Sequence, residues 1–111
     1  MVAIRAIENI EEIVATDGVD AAVLGSHDLA VAMAHPGQPD HPDVTSALHH
    51  AERVIRDSGV VLGGNAFSST QARQMTERGY QLLALGFDWT LLQRGATAAL
   101  DGLGAAERRP A

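Results

Sequence analysis

The chain has 111 residues, room for one domain at most, and its 46% apolar and 20% charged residues describe a globular protein, not a disordered one. A net charge of −6 argues against nucleic acid as a partner, because phosphate binding calls for clustered Lys and Arg. Cysteine is absent, which excludes disulfides and thiol chemistry, and no apolar run reaches the roughly 18 residues of a membrane span. The N-terminal MVAIRAIENIEEI carries charges every few residues, unlike a signal peptide, so a cytoplasmic location is expected.

Ile4, Ile7, Ile10, Ile13 and Val14 recur at helical spacing with Glu8, Glu11 and Glu12 between them, which predicts an amphipathic helix over 3–16. Asp17-Gly18 ends it, with Gly18 as a left-handed cap. DAAVLG follows, apolar without alternation, the pattern of a fully buried parallel strand. A short helical turn is expected over Asp28–Ala34, and the prolines of HPGQPDHP forbid its continuation. Pro42 suits the first turn of a helix whose face is Val44, Ala47, Leu48, Ala51, Val54 and Ile55, ending at Ser58-Gly59. VVLGG is a second strand. Ser68 and Gln71 form a capping box for a helix over 69–78, closed by Gly79. QLLALG is a third strand, and Asp88 caps a last helix through Leu91, Leu92, Ala96, Ala99 and Leu100. Residues 101–111 are expected to form a flexible tail.

Strands alternating with helices imply right-handed βαβ crossovers and a parallel sheet. Functional groups in such folds sit at the carboxyl ends of strands, where Asp28 and Asp88 fall. Three parallel strands leave two open edges, whereas a (β/α)₈ barrel has eight strands over about 250 residues. The chain therefore reads as part of a larger barrel, or as one that completes its sheet with a partner, and a homo-oligomer is expected.

Asn9-Ile10-Glu11-Glu12-Ile13, Gly18-Val19-Asp20, Gly25-Ser26-His27-Asp28-Leu29 and Gly37-Gln38-Pro39-Asp40-His41-Pro42-Asp43-Val44 follow one another in an order and spacing that resemble the HpcH/HpaI aldolase family. GYQLLALGFDWTLL resembles that family's last strand and the turn after it. The likeness runs over about residues 3–100 and implies a fold: an α/β, partial TIM (β/α)₈ barrel of about three C-terminal βα units, with residues 1–100 a C-terminal fragment of the aldolase domain.

The resemblance also implies chemistry. These are class II, metal-dependent aldehyde-lyases that cleave 4-hydroxy-2-oxo acids to pyruvate and an aldehyde, using Mg²⁺, Mn²⁺ or Co²⁺. Asp28 matches one of the two carboxylate ligands. The backbone N–H groups of Ser26, His27 and Asp28, at the start of a short helix, match those that hold the carboxylate of the small 2-oxo acid substrate. His27 departs from the small residue or proline usual there. The partner ligand, a Glu in a Q-I-E motif, corresponds by counting back from Asn9 to Val2, and Glu8 is not assigned its role. The family's assisting His and Arg lie further upstream, so no catalytic residue is expected within this chain, and the segment alone is expected to be inactive. The alternative is a non-catalytic remnant or a small α/β ligand-binding or assembly domain.

Simpler readings compete with these. From spacing alone, Asp28 and Asp88 are helix caps. His27, His35 and His41 lack H-x-x-x-H or H-E-x-x-H spacing, so they read as loop residues, and His49-His50 as a solvated face. GVVLGGNAFSS lacks the lysine and order of a phosphate loop. Phe87 and Trp89 read as core or interface residues.

Overall fold

The structure, a computed structural model, describes residues 4–104, so Val2 and the tail beyond 104 lie outside it. In chain order the elements are α1 (Ile4–Glu8), α2 (Ile10–Val14), β1 (Ala21–Leu24), α3 (Ser26–Ala32), α4 (Pro42–Ser58), β2 (Val61–Ala66), α5 (Ser69–Glu77), β3 (Leu82–Leu85) and α6 (Asp88–Gly102). The three strands form one parallel sheet in the order β1-β2-β3. Parallel strands joined by helices in this way are the repeating unit of a (β/α)₈ barrel, and two sheet edges are left open among the described residues.

The expected first helix is broken at Asn9, whose ψ of 15° departs from helical values. Asn9 N–H still reaches Arg5 O, and Ile13 N–H reaches Asn9 O, each at 3.0 Å, so the two short helices share one axis of hydrogen bonding. Ile7, Ile10 and Val14 are buried, whereas Ile4 and Ile13 stay exposed. Gly18 takes the left-handed φ of 87° that the sequence calls for. α3 begins two residues earlier than the spacing predicts, because Gly25 is extended and serves as N-cap. It also ends earlier, where Ala34 adopts a φ of 61° and His35 N–H turns back to Ala30 O at 2.8 Å.

α4 follows its expected limits. Pro42 occupies the first turn, the His41 ring accepts the Asp43 N–H at 3.2 Å, and Gly59 ends the helix in the left-handed region. At α5 the Ser68 hydroxyl accepts the Gln71 N–H at 3.1 Å, but the Gln71 side chain reaches the Phe67 N–H at 2.8 Å and not that of Ser68. Asp88 does not cap α6. Thr90 Oγ1 accepts the Phe87 N–H and donates to Phe87 O, both at 2.8 Å, while Asp88 Oδ1 accepts the N–H of its neighbour Trp89. α6 continues through Gly102, so the first residues expected in the tail are helical.

The core lies on one face of the sheet, where Leu24, Leu29, Val44, Ala51, Ile55, Leu62, Ala66, Met75 and Tyr80 pack together. On the other face Val23, Gly63 and Leu82 stand side by side in register, with Val23 53% and Leu82 48% exposed. The strands were expected to be buried on both faces, and the uncovered face is the correction. In a closed barrel this face is the interior, filled by layers of side chains from all strands. α6 likewise buries none of its residues, leaving Leu91, Leu92 and Leu100 exposed. The radius of gyration is 17.8 Å, against about 13 Å for a closed domain of this length. No helix among the described residues is long and apolar enough to cross a membrane.

Gly64 marks the tightest point of the covered face. A Cβ there would lie 2.7 Å from Met75 Cε and 2.8 Å from Tyr80 Cε1. The methionine tip can swing aside, but the buried ring cannot. Gly64→Ala is expected to cost about 1–3 kcal/mol through overpacking, seen as a lower urea midpoint; an unchanged midpoint would contradict this packing.

Below that contact lies a buried polar network. Glu52 is 1% exposed, and its Oε1 accepts the Tyr80 O–H at 2.7 Å and the Arg78 Nε–H at 3.3 Å. Burial, then the bond to the Glu52 carboxylate, raises the Tyr80 pKa above its ordinary value. Below about pH 10 the phenol is protonated in folded and unfolded chains alike, and its contribution to stability is fully present. Above that pH the unfolded chain releases the proton first, so stability falls by up to about 1.4 kcal/mol per pH unit. The sequence holds no Lys or Cys and one Tyr, so no other side chain titrates in that window. Urea denaturation at about pH 9 and about pH 11 is expected to show this loss in the parent chain and not in Tyr80→Phe.

Candidate functional site

The carboxyl ends of the three strands open into one cavity of about 700 Å³. Gly25, Ser26, His27 and Asp28 form its β1 side, Asn65, Phe67 and Gln71 its β2 side, and Phe87, Trp89 and Thr90 its β3 side. Pro39 and Asp40, from the segment between α3 and α4, close another wall. The parallel register sets this convergence, because Leu24 pairs with Gly64 and Ala66 with Leu85, so each strand ends at the same rim.

Asp28 is the third residue of α3 and not its N-cap, which is Gly25. Its exposed carboxylate folds back toward the strand end, and a Cβ on Gly25 would lie 3.0 Å from Asp28 Oδ2. Glycine at 25 thus leaves room for the carboxylate at the rim. The first helical bond of α3 is Leu29 N–H to Gly25 O at 2.9 Å. The N–H groups of Ser26, His27 and Asp28 precede it and have no carbonyl within the helix to bind. They share the cavity rim with the Asp28 side chain. The expected trio is therefore brought together, whereas Asp88 is not among the lining residues.

The cavity offers oxygen donors suited to a hard divalent ion: the Asp28 and Asp40 carboxylates, the Ser26 and Thr90 hydroxyls, and the Asn65 and Gln71 amides. Such ions are commonly held by one or two carboxylates, with water and substrate completing the shell. Asp28 fits as one such ligand. Among the described residues no glutamate lines the cavity beside it.

An aromatic wall was not foreseen. His27 meets Phe67 edge-on with centroids 5.2 Å apart, Phe67 meets Phe87 at 5.9 Å, and Phe87 stacks on Trp89 at 6.2 Å. The core reading of Phe87 and Trp89 does not hold, since they are 42% and 62% exposed and line the cavity. The signal was their place directly after β3. His49 and His50 are exposed on α4, as expected, with His50 Nδ1 3.5 Å from Arg53 Nη2. The loop reading of His35 and His41 missed a contact, since their rings stack at 3.5 Å beside Asp43.

Comparison with known proteins agrees with the fold. The HpcH/HpaI aldolase/citrate lyase family profile matches residues 3–94. The chain is 39% identical over 94 residues to the 4-hydroxy-2-oxo-heptane-1,7-dioate aldolase of Klebsiella pneumoniae subsp. pneumoniae, covering 85% of this chain and 36% of that protein. It is 37% identical over 91 residues to a hydroxypyruvate/pyruvate aldolase of Pseudomonas aeruginosa, covering 82% of this chain and 34% of that protein. A solved HpcH/HpaI aldolase/citrate lyase family protein from Burkholderia cenocepacia J2315 superposes with a TM-score of 0.87 at 35% identity, covering 91% of this chain and 39% of that one. The chain thus spans little more than a third of the length of the relatives it matches. Its matched motifs and its three βα units show that the chain belongs to the HpcH/HpaI aldolase/citrate lyase family.

Proposed function

We propose that this chain supplies three strand ends of the active site of a class II pyruvate aldolase, which cleaves a 4-hydroxy-2-oxo acid to pyruvate and an aldehyde in the cytoplasm. The observation that carries the reading is the rim formed by Asp28 and the open N–H groups of Ser26, His27 and Asp28, inside the one cavity where all three strands end. The N–H groups bind the substrate carboxylate and orient the 2-oxo end toward Asp28. Asp28 holds one position of a Mg²⁺, Mn²⁺ or Co²⁺ ion. When bound, the ion supplies Lewis-acid polarisation of the keto oxygen. The row from His27 to Trp89 gives the aldehyde portion an apolar wall and excludes water from that side. The uncovered sheet face and the exposed leucines of α6 support assembly with further barrel units and with further copies of the protein.

A second reading is favoured by one observation, the uncovered sheet face and exposed leucines of α6, which offer a surface for assembly. It makes the segment a non-catalytic assembly unit. A chimera separates the two readings: residues 4–104 replace the matching part of the Klebsiella aldolase barrel, and pyruvate release from a 4-hydroxy-2-oxo acid is followed. The aldolase reading expects turnover that requires a divalent ion. A folded chimera without turnover at any metal concentration supports the assembly reading.

A further inference from the structure

The segment between α3 and α4 gathers a second set of ligating side chains, none of which lines the strand-end cavity. The turn at Ala34 brings His35 back over its own helix. Gln38 N–H then bonds to His35 O, and His41 N–H to Gln38 O, each at 3.0 Å. The two rings consequently stack with centroids 3.5 Å apart and planes 13° apart. Asp43, in the first turn of α4, places Oδ2 3.6 Å from His35 Nε2 and 3.8 Å from His41 Nδ1. One ligand atom from each of the three residues lies within 4.8 Å of the other two, the one such trio among the described residues.

We infer that His35, His41 and Asp43 bind a borderline divalent transition metal, of which Zn²⁺ is the representative ion. Two imidazoles and one carboxylate suit Zn²⁺ and its transition-metal neighbours, whereas hard ions favour all-oxygen shells. Three protein ligands leave a fourth position for water. The rings are stacked nearly parallel, so one of them turns about its Cβ–Cγ bond to share an ion with the other. Both rings are about a quarter exposed, which gives that rotation room. His41 Nδ1 accepts the Asp43 N–H at 3.2 Å, a long bond that the ion can displace. Pro39 and Asp40 lie between the two histidines in sequence and wall the strand-end cavity. An ion held by this trio therefore pins that wall in place.

Zn²⁺ titrated calorimetrically into the untagged full chain tests the site. One saturable ion per chain is expected, and excess Mg²⁺ should not displace it. Loss of supporting partners around a metal site costs about 10–100-fold in affinity, so His35→Ala and His41→Asn should each weaken binding by at least about 100-fold. Asparagine at 41 keeps an acceptor for the start of α4, and Asp43→Asn gives an independent reading if either histidine variant loses its circular dichroism. Asp28→Ala and the His49→Ala, His50→Ala pair should bind Zn²⁺ as the parent does, which separates this site from the aldolase reading. The inference is overturned by unchanged affinity in His35→Ala and His41→Asn, by loss of binding in the His49/His50 pair, or by the absence of saturable binding.

Discussion

Asp28→Ala is expected to lower pyruvate release by the Klebsiella chimera at least about a thousandfold. Lewis-acid stabilisation by a bound metal is worth several kcal/mol, and each 1.36 kcal/mol is about tenfold in rate. Among the described residues Asp28 is the one carboxylate on the β1 rim next to the open N–H groups of α3, so under the proposed reading its loss removes a metal ligand and leaves those N–H groups in place. Its side chain is exposed and its helix is capped by Gly25, so the fold should survive the change. The check is turnover measured beside thermal unfolding. Equal turnover at an unchanged melting temperature would remove Asp28 from the site. Asp28→Asn keeps the shape and loses the charge, and it is expected to behave as the alanine variant does.

Glu52→Ala carries the largest expected effect on stability, about 3 kcal/mol. Removing one partner of a buried pair typically costs about 3–5 kcal/mol, and an unpaired buried hydroxyl about 1–3. Here the Tyr80 O–H loses its acceptor in the core, while Arg78, whose side chain is 37% exposed, recovers some hydration. The value therefore falls at the low end of the range. Glu52→Gln keeps an oxygen for Tyr80 and gives up only the charge, so it should cost about 1 kcal/mol, the worth of one ordinary hydrogen bond. Urea midpoints of the two variants decide the matter. Equal losses would mean that charge, not the tyrosine bond, sets the contribution.

Much of the architecture was legible because local chemistry and tertiary fold agree in it. Pro42, Gly59 and Ser68 state the limits of α4 and α5 directly, and the apolar runs around Val23, Leu62 and Leu83 announce the strands. Asp28, Ser26 and His27 could be placed at a strand end because glycine closes the run before them. Other features depend on neighbours far along the chain. Glu52 falls on the same stripe as Leu48 and Ile55, but its burial depends on Tyr80 and Arg78, which no local pattern reveals. The cap of α6 passed from Asp88 to Thr90 because the helix starts at Asp88 with Phe87 as its N-cap, so Thr90 takes the Phe87 N–H while Asp88 takes that of Trp89. His35 and His41 meet only because Ala34 takes a left-handed φ, a conformation the sequence does not advertise without glycine. The uncovered face of β1 and β3 could not be told from a buried one, since a barrel interior is as apolar as a core.

The central claim is that the β1 rim holds the 2-oxo acid and its ion. Mn²⁺ added with pyruvate to the isotope-labelled chimera tests it through paramagnetic broadening of amide signals. The account predicts that the amides of Ser26, His27 and Asp28 broaden first, and that Asp28→Ala abolishes the effect. Sharp signals at those three residues, with broadening elsewhere in the chain, would contradict it.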